Sequence, residues 1–283
     1  MADKKSILDF HEMKEKGEKV AWITAYDFPT AQFVEKAGMD MILVGDSLGM
    51  VVKGYQGTEP VTMEDCISHS QDVRRGAPNV YCMGDLPFMS YQTSCEDAVR
   101  NAGRFIKEAD MDAVKLEGGR RVCDQIEAIT EAGIVVCGHI GLTPQSSGQL
   151  GGFKAQGLHV ESARELIKDA IAVEEAGCEM LLVEAVPPKV TGFIADKLDI
   201  PVYSIGAGKP CDGQLLICGD MLGMFQAFTP KFVKQYASVA EVEIQAFEEY
   251  VEDVKEGRFP TDDHVYNIQD PEDEFEEMFD EFE

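Results

Sequence analysis

The sequence lacks the features that would place the protein in or on a membrane. No uninterrupted apolar run approaches the ~18 residues that a membrane-spanning helix needs, and residues 1–6 lack the apolar core of a signal peptide. With 25 basic against 52 acidic side chains, the formal net charge is −27. That charge repels phosphate backbones and anionic lipids, so nucleic acid and membrane surfaces are excluded as partners. We expect a soluble, cytoplasmic protein.

Paired cysteines are also missing. The chain has eight cysteines, but none of them forms a Cys-x-x-Cys pair. This absence argues against a zinc ribbon or a thioredoxin-like redox site. Several of the cysteines lie inside apolar runs, where a free thiol behaves as a small buried hydrophobe. We therefore expect reduced core thiols, which fits a reducing compartment.

Apolar runs typical of strands alternate with segments of helical length along most of the chain. This βαβα order favours a parallel sheet with right-handed crossovers, and 283 residues suffice for one large barrel. We predict an α/β fold, a (β/α)8 TIM barrel over residues 1–265. Seven strands are predicted at Val20–Ala25, Met39–Gly45, Asn79–Gly84, Ala113–Leu116, Ile134–Cys137, Met180–Val183 and Pro201–Ile205. The helices between them are predicted at Thr30–Ala37, Thr62–Arg75, Cys95–Glu108, Arg121–Glu131, Ser162–Ala176 and Pro188–Leu198.

The two ends of the barrel are harder to assign. A connection between parallel strands needs about a dozen residues. Asp212–Leu222 follows the seventh predicted strand too closely to be the next parallel strand, so it is interpreted as a helix. The eighth strand is then predicted near Gly223–Phe228, and a long helix from Lys231 to about Glu256. An amphipathic helix at Ser6–Lys16 is expected to plug the bottom of the barrel.

Residues 266–283 form an acidic C-terminal tail. Nine of the fourteen residues from Asp270 onward are carboxylates, a composition typical of a flexible solvated segment. A second interpretation is a helix, because four apolar side chains recur at the spacing of one helical face. These are Phe275, Met278, Phe279 and Phe282.

Carboxylates follow the ends of several predicted strands. Asp46 and Asp85 follow neighbouring strands, and Glu117 ends the next one. Each could have an ordinary role, such as capping a helix. At equivalent strand ends, however, all three should converge at the C-terminal face of the barrel, where barrel enzymes carry their active sites. Three converging carboxylates suit Mg²⁺, a hard cation that keeps several waters.

Three more polar side chains are predicted to point into the same region. Lys115 shares a strand face with Glu117, so it would bind either a substrate oxyanion or Glu117 alone. His139 could hydrogen-bond a substrate oxygen or be a satisfied core histidine. Glu184 ends a strongly apolar strand, where partial desolvation would raise its pKa and make it a general base.

In order and spacing, these motifs closely resemble the ketopantoate hydroxymethyltransferase family over about residues 6–265. One departure is Ala185, where many relatives have cysteine, and the acidic tail matches nothing in the family. The resemblance rests on Thr24-Ala25-Tyr26-Asp27, Gly45-Asp46-Ser47-Leu48-Gly49-Met50, Arg74-Arg75-Gly76-Ala77-Pro78, Asp85-Leu86-Pro87-Phe88-Met89, Lys115-Leu116-Glu117-Gly118-Gly119, Gly138-His139-Ile140-Gly141-Leu142-Thr143-Pro144-Gln145 and Asp212-Gly213-Gln214.

The resemblance implies a role for each site residue. Asp46, Asp85 and Glu117 would bind Mg²⁺, while Asp46, Ser47 and Lys115 would bind the ketoacid. Glu184 would accept the proton. The implied reaction transfers a hydroxymethyl group from 5,10-methylenetetrahydrofolate, or a methanopterin analogue, to 3-methyl-2-oxobutanoate through a magnesium-bound enolate. Family members are homo-oligomers, commonly decamers.

Two other functions remain open from sequence. Metal-dependent lyases and mutases of the isocitrate lyase and phosphoenolpyruvate mutase group have a similar barrel and Mg²⁺-bound enolate. Their lyase members, however, carry a catalytic cysteine in a Lys-Lys-Cys-Gly-His-like loop, which this sequence lacks. A non-catalytic scaffold on the same barrel would be expected to lose carboxylates at the strand ends, whereas this chain retains them.

Overall fold

The structure is a computed structural model that describes residues 4–283. The chain forms two compact units, one ending at Tyr236 and the other comprising Ala237–Glu283. The first unit is a closed barrel of eight parallel strands in the order β1 to β8. The predicted (β/α)8 barrel is therefore confirmed. The predicted domain boundary between residues 265 and 266 stays a prediction.

Each strand of the barrel is short, with four to six residues. The strands are Val20–Thr24 (β1), Met41–Val44 (β2), Tyr81–Asp85 (β3), Ala113–Glu117 (β4), Val136–Gly141 (β5), Met180–Glu184 (β6), Val202–Ile205 (β7) and Gly213–Leu216 (β8). The helices of the first unit are Ile7–Lys16 (α1), Phe28–Lys36 (α2), Leu48–Val51 (α3), Met63–Gly76 (α4), Cys95–Ala109 (α5), Cys123–Glu131 (α6), Ser147–Leu150 (α7), Val160–Glu175 (α8), Pro188–Lys197 (α9) and Cys218–Met221 (α10).

The prediction for the eighth strand of the barrel was wrong. Asp212–Leu222 contains β8 and the short α10 instead of one helix, and no strand forms at 223–228. Only seven residues, 206–212, connect β7 to β8. This short connection suffices because a four-residue strand spans only about 13 Å. Gly206 and Gly208, with φ of 68° and 95°, adopt the left-handed backbone that the tight return requires.

Alternate residues of each strand face two different cores. One core lies between the sheet and the surrounding helices, and the other fills the interior of the barrel. Phe10 of α1 is fully buried in the interior core. Its ring lies edge-on to Tyr81, with 5.0 Å between the ring centroids. The predicted plug at the bottom of the barrel is therefore confirmed, with the helix running from Ile7 to Lys16.

Two of the motif residues have structural roles. Asp27 caps α2, since its carboxylate accepts a hydrogen bond from the backbone N–H of Thr30 at 2.8 Å. The buried Arg74 donates to Asp112 Oδ2 at 2.6 Å and to the carbonyl of Val80 at 3.0 Å. Arg74 therefore fixes the C-terminal end of α4 to the start of β3.

The second unit contains two helices, Val239–Lys255 (α11) and Glu272–Asp280 (α12). The predicted long helix starts at Val239 instead of Lys231. In the acidic tail, α12 agrees with the interpretation based on helical spacing and not with an unstructured segment. Neither helix has a buried residue. Across residues 4–283, no helix combines the length and apolar character needed to cross a membrane.

Candidate active site

The alternation of β3 to β6 determines which side chains reach the top of the barrel. Asp85 lies two residues after Met83, whose side chain belongs to the interior core. Asp85 is aligned with Lys115 in the β3–β4 register, and Glu117 with His139 in the β4–β5 register. Strand pairing therefore brings side chains from distant parts of the sequence together at the C-terminal face, as predicted.

Asp46 and Asp85 are direct neighbours. The backbone N–H of Asp46 donates to Asp85 Oδ2 at 2.9 Å, and both side chains are buried. Burial raises the pKa of Asp46 well above its usual value, and the negative charges of Asp85 and Glu117 raise it further. We call Asp46, Asp85 and Glu117 the carboxylate cluster.

Lys115 is the cation of this region. Its Nζ lies 2.8 Å from Asp85 Oδ1 and 3.8 Å from Glu117 Oε1. Burial alone would lower the pKa of Lys115, but the surrounding carboxylates, Asp85 foremost, raise it above its usual value. Lys115 is therefore charged, and its nearest partner is Asp85 instead of Glu117.

The carboxylate cluster contains more carboxylates than cations. Three buried carboxylates face the single ammonium of Lys115, and burial together with the neighbouring carboxylates raises the pKa of Asp46, so its charged form is disfavoured without a further cation. In addition, the buried Asp85 Oδ1 receives no hydrogen bond of acceptable geometry, despite the nearby Nζ. Buried charges are normally paired or bound to metal. The residues therefore fit a divalent cation.

Some of the ligands in the coordination shell of the cation would have to be water or substrate oxygens. Within residues 4–283, no three Asp, Glu, His or Cys side chains already stand in an arrangement that could hold a metal ion. Mg²⁺ usually binds through one or two carboxylates and keeps several waters. Asp46 and Asp85 could supply direct ligands, with Glu117 acting through a bound water.

His139 lies between two carboxylates. Its Nδ1 is 3.4 Å from Glu117 Oε1, and its Nε2 is 3.1 Å from Glu184 Oε2. Burial and Lys115 lower the pKa of His139, but the two carboxylates raise it above the usual value. Both ring nitrogens face carboxylates, but Nε2 forms no hydrogen bond of acceptable geometry, so the contact with Glu184 is electrostatic.

The chain around Glu184 requires a close backbone approach. At the end of β5, Gly141 has φ of 94°, and a Cβ there would lie 2.3 Å from the carbonyl oxygen of Glu184. Ala185, the residue after Glu184, also has a left-handed backbone, with φ of 50°. Such conformations are uncommon for alanine and often occur at functional sites. They turn the chain directly after Glu184.

Ser47 borders the carboxylate cluster on another side. Its Oγ lies 2.8 Å from the hydroxyl of Tyr26, which belongs to one of the sequence motifs. Tyr26 is buried, and burial foremost raises the pKa of its hydroxyl. At neutral pH the neutral phenol can donate to Ser47 and hold its side chain beside Asp46.

Gln145 is a site residue for which the sequence predicted no role, although it lies in one of the sequence motifs. The backbone N–H of Gln145 donates to Glu117 Oε2 at 3.0 Å, and its Nε2 donates to Asp46 Oδ2 at 2.9 Å. Its Oε1 accepts from the hydroxyl of Tyr91 at 2.8 Å. Gln145 therefore links two members of the carboxylate cluster. Its position at the end of the motif Gly138 to Gln145 was the sequence signal that could have found it.

A cavity of about 1100 Å³ opens above these residues. At one end it is lined by the carboxylate cluster with Lys115, His139 and Glu184. The rest is largely apolar, with side chains from α3, from the segment after β5 and from the segment after α10. These include Met50, Val51, Leu142, Phe153, Leu158, Phe225, Phe228 and Pro230. The cavity therefore has a charged floor and an apolar upper wall.

A closed parallel barrel with buried carboxylates around a lysine at its C-terminal face defines a barrel enzyme. The sequence model of the ketopantoate hydroxymethyltransferase family matches residues 4–262. The chain belongs to this family, as the motifs predicted.

Curated relatives extend over almost the whole chain, and one of them also matches the acidic tail, so the prediction that the tail matches nothing in the family was wrong. The chain is 74% identical over 282 residues to the 3-methyl-2-oxobutanoate hydroxymethyltransferase of Alkaliphilus metalliredigens (strain QYMF), and the match covers 100% of both chains. It is 52% identical to the enzyme of the same name from Enterococcus faecalis (strain ATCC 700802 / V583), over 94% of this chain and 97% of that one. The predicted enzyme class, a hydroxymethyltransferase, is confirmed.

Solved structures with the same fold belong to other enzymes. Phosphoenolpyruvate phosphomutase from Streptomyces platensis subsp. rosaceus matches with a TM-score of 0.60 at 16% identity, over 98% of this chain and 97% of that one. Phosphonopyruvate hydrolase in complex with oxalate and Mg²⁺ matches with a TM-score of 0.60 at 12% identity, over 98% and 96%. At such low identity these matches show the fold alone.

Proposed function

We propose that the protein transfers a hydroxymethyl group from a reduced pterin to 3-methyl-2-oxobutanoate, giving 2-dehydropantoate. The pterin would be 5,10-methylenetetrahydrofolate or a methanopterin analogue, and water would supply the hydroxyl oxygen. The observation that carries the proposal is the arrangement of Glu184 near a cluster of three buried carboxylates that share one lysine. It combines a base with a site for a divalent cation, as proton removal beside a ketone requires.

Asp46 and Asp85 would hold Mg²⁺, with Glu117 completing the site. When bound there, the ion would act as a Lewis acid on the ketone and carboxylate oxygens of the ketoacid. Ser47, beside Asp46, would donate a hydrogen bond to the ketoacid. Lys115 would face the negative charge that develops on the ketoacid, since its ammonium is already held in place by Asp85.

Glu184 would remove the proton from the carbon beside the ketone. The His139 ring lies beside its carboxylate, with Nε2 3.1 Å from Glu184 Oε2. A general base of this kind typically contributes about 10²–10⁴-fold to the rate. The apolar upper wall of the cavity would exclude bulk water from the enolate until the one-carbon donor binds. Water would release the one-carbon unit from the two pterin nitrogens as formaldehyde, leaving the tetrahydropterin. The carbon nucleophile would then attack the carbonyl carbon of formaldehyde as its C=O π bond breaks, and the resulting alkoxide would take up the proton that Glu184 removed.

Hydrogen exchange without the pterin tests this proposal directly. In deuterated buffer with Mg²⁺, the wild-type protein should exchange the proton beside the ketone of 3-methyl-2-oxobutanoate, as followed by NMR. Glu184→Gln should slow exchange by about 10²–10⁴-fold while still binding the ketoacid. Asp196→Asn, which removes an exposed carboxylate of α9, is the matched control and should exchange normally. Exchange at the wild-type rate in Glu184→Gln would exclude Glu184 as the base.

The proposal extends to assembly and location. The second unit exposes many large apolar side chains on α11, including Val242, Ile244, Phe247 and Val251, as is common for a surface that contacts another subunit. All eight cysteines are free thiols, which suits the reducing cytoplasm. We therefore propose a cytoplasmic homo-oligomer, such as a decamer. Light scattering coupled to size-exclusion chromatography would measure its mass.

A further inference from the structure

Asp220 is a buried carboxylate that the proposed chemistry does not use. It lies in α10, is 6% exposed, and lines the cavity above the carboxylate cluster. Among residues 4–283, burial is the only influence that shifts the pKa of its carboxyl, with neither a hydrogen-bond donor nor a cation acting on it. Buried carboxylates without a partner are costly. The side chain is therefore placed to receive donors from a ligand.

The space next to Asp220 is larger than the ketoacid requires. Pockets of about 300–1000 Å³ hold drug-sized molecules, whereas this cavity measures about 1100 Å³ and the ketoacid has only eight heavy atoms. Phe225 and Phe228 line the same part of the wall, with ring centroids 5.5 Å apart in an edge-to-face pair. Aromatic and apolar walls of this kind suit a flat heterocycle.

Asp220 also lies close to the ketoacid end of the cavity. The backbone N–H of Cys218, at the start of the same helix, donates to Thr24 Oγ1 at 3.0 Å, two residues before Tyr26. The Tyr26 hydroxyl in turn lies 2.8 Å from Ser47, next to the metal ligand Asp46. A molecule held by Asp220 would therefore reach the reacting carbon of the ketoacid from above.

We infer that Asp220 binds the pyrimidinone edge of the one-carbon donor, accepting hydrogen bonds from the ring N3–H and the 2-amino group of the pterin. This inference rests on the proposed function, which requires a reduced pterin in the cavity. The two donors point in the same direction and match the two oxygens of one carboxylate. Folate and methanopterin donors share this edge, so the same contact serves both.

The ionisation of Asp220 sets the conditions of measurement. Burial raises its pKa to about 6, so the carboxylate is ionised at pH 8, where it accepts both hydrogen bonds. A charge-assisted hydrogen bond of this kind contributes enough that its loss weakens binding by about 10- to 100-fold. That range is well within reach of calorimetry.

The first experiment uses only the wild-type protein and two ligands. Under anaerobic conditions at pH 8, calorimetry would compare 6,7-dimethyltetrahydropterin with its 2-desamino analogue, which lacks one of the two donors. We expect the analogue to bind about 10- to 100-fold more weakly. Equal affinity for the two ligands would overturn the inference without any variant.

The second experiment asks whether Asp220 causes that preference. Asp220→Asn keeps the side-chain size but removes the charge, and should bind the complete pterin about 10- to 100-fold more weakly with little preference between the ligands. Asp220→Glu should recover part of the preference, and the exposed Asp196→Asn should behave as wild type. An unchanged ligand preference in Asp220→Asn would overturn the inference.

The outcomes separate this inference from the proposed function. Hydrogen exchange in the wild-type protein without pterin tests Glu184 and the carboxylate cluster, and it does not involve Asp220. If exchange is normal and the wild-type protein binds both ligands equally well, the proposed function is supported and the role of Asp220 is rejected. If exchange is absent, the proposed function is rejected. A preference for the complete pterin that is lost in Asp220→Asn would still support the contact between Asp220 and the pterin.

Discussion

Replacing Gln145 by methionine tests whether this residue holds the carboxylate cluster together. Gln145 is 4% exposed, and its amide contacts Asp46, the Leu86 carbonyl and the Tyr91 hydroxyl. Methionine has a similar length but neither donates nor accepts strongly. Its introduction would leave two buried acceptors, Asp46 Oδ2 and the Leu86 carbonyl, without the amide donor, whereas the Tyr91 hydroxyl keeps its contacts with the backbone of Glu117.

The magnitude follows from those two groups. Each buried polar group that loses its partner costs about 1–3 kcal/mol. Asp46 lines the cavity, where water can replace the lost donor, so we expect the lower end of the sum, about 2 kcal/mol. For a barrel of this size that corresponds to a fall in Tm of about 4–8 °C. Mg²⁺ affinity should fall by about 10- to 100-fold, as for other groups that orient metal ligands.

Thermal unfolding and Mg²⁺ titration by calorimetry would measure both effects. Gln149→Met is the matched control, because Gln149 is exposed and accepts only from Arg121, at 3.0 Å. Surface changes of this kind usually alter stability by less than about 0.5 kcal/mol. If Gln145→Met and Gln149→Met gave the same Tm and the same Mg²⁺ affinity, the linking role of Gln145 would be wrong.

Three further changes test other parts of the structure. Asp46→Asn and Asp85→Asn should each nearly abolish turnover, whereas Glu117→Gln should raise the Mg²⁺ concentration needed more than it lowers the maximal rate. Activity titrated against Mg²⁺ measures this, and full activity of Asp46→Asn at ordinary Mg²⁺ would remove Asp46 from the metal site. Phe10→Ala should lower the free energy of unfolding in urea by about 3–5 kcal/mol, and a change below about 1 kcal/mol would argue against the interior plug. Truncation after Gln269 should leave turnover close to wild type, because every proposed site residue lies in the first unit; a large fall with intact assembly would contradict this.

Much of the site could be predicted because strand alternation is a local property. In β4, Lys115 and Glu117 are two residues apart, so both had to face the same side of the sheet. Apolar runs also located seven strands, since buried parallel strands are almost continuously apolar. These patterns depend only on neighbours in sequence, so they can be recognised without knowledge of the fold.

The features that were missed depend on contacts between distant residues. β8 was assigned to the wrong segment because the connection between β7 and β8 was assumed to have the length of a typical crossover. Gly206 and Gly208 allow a shorter connection. Gln145 contacts Asp46, 99 positions away, and nothing in the sequence pairs the two. Asp220 resembles any other acidic residue in a highly acidic chain until its burial is known.

The order of strands around the barrel separates two kinds of function by position. Every ionisable group at the floor comes from the consecutive arc β2 to β6, whereas β7, β8 and β1 contain no carboxylate, lysine or histidine. The reacting groups are therefore encoded in one continuous stretch of the gene, residues 41–184, whereas Asp220, Phe225 and Phe228 lie in a later segment. Substitutions in that later segment could change which donor is accepted while the reacting groups stay intact. Descendants of this barrel could therefore acquire new co-substrates by stepwise mutation without passing through inactive intermediates.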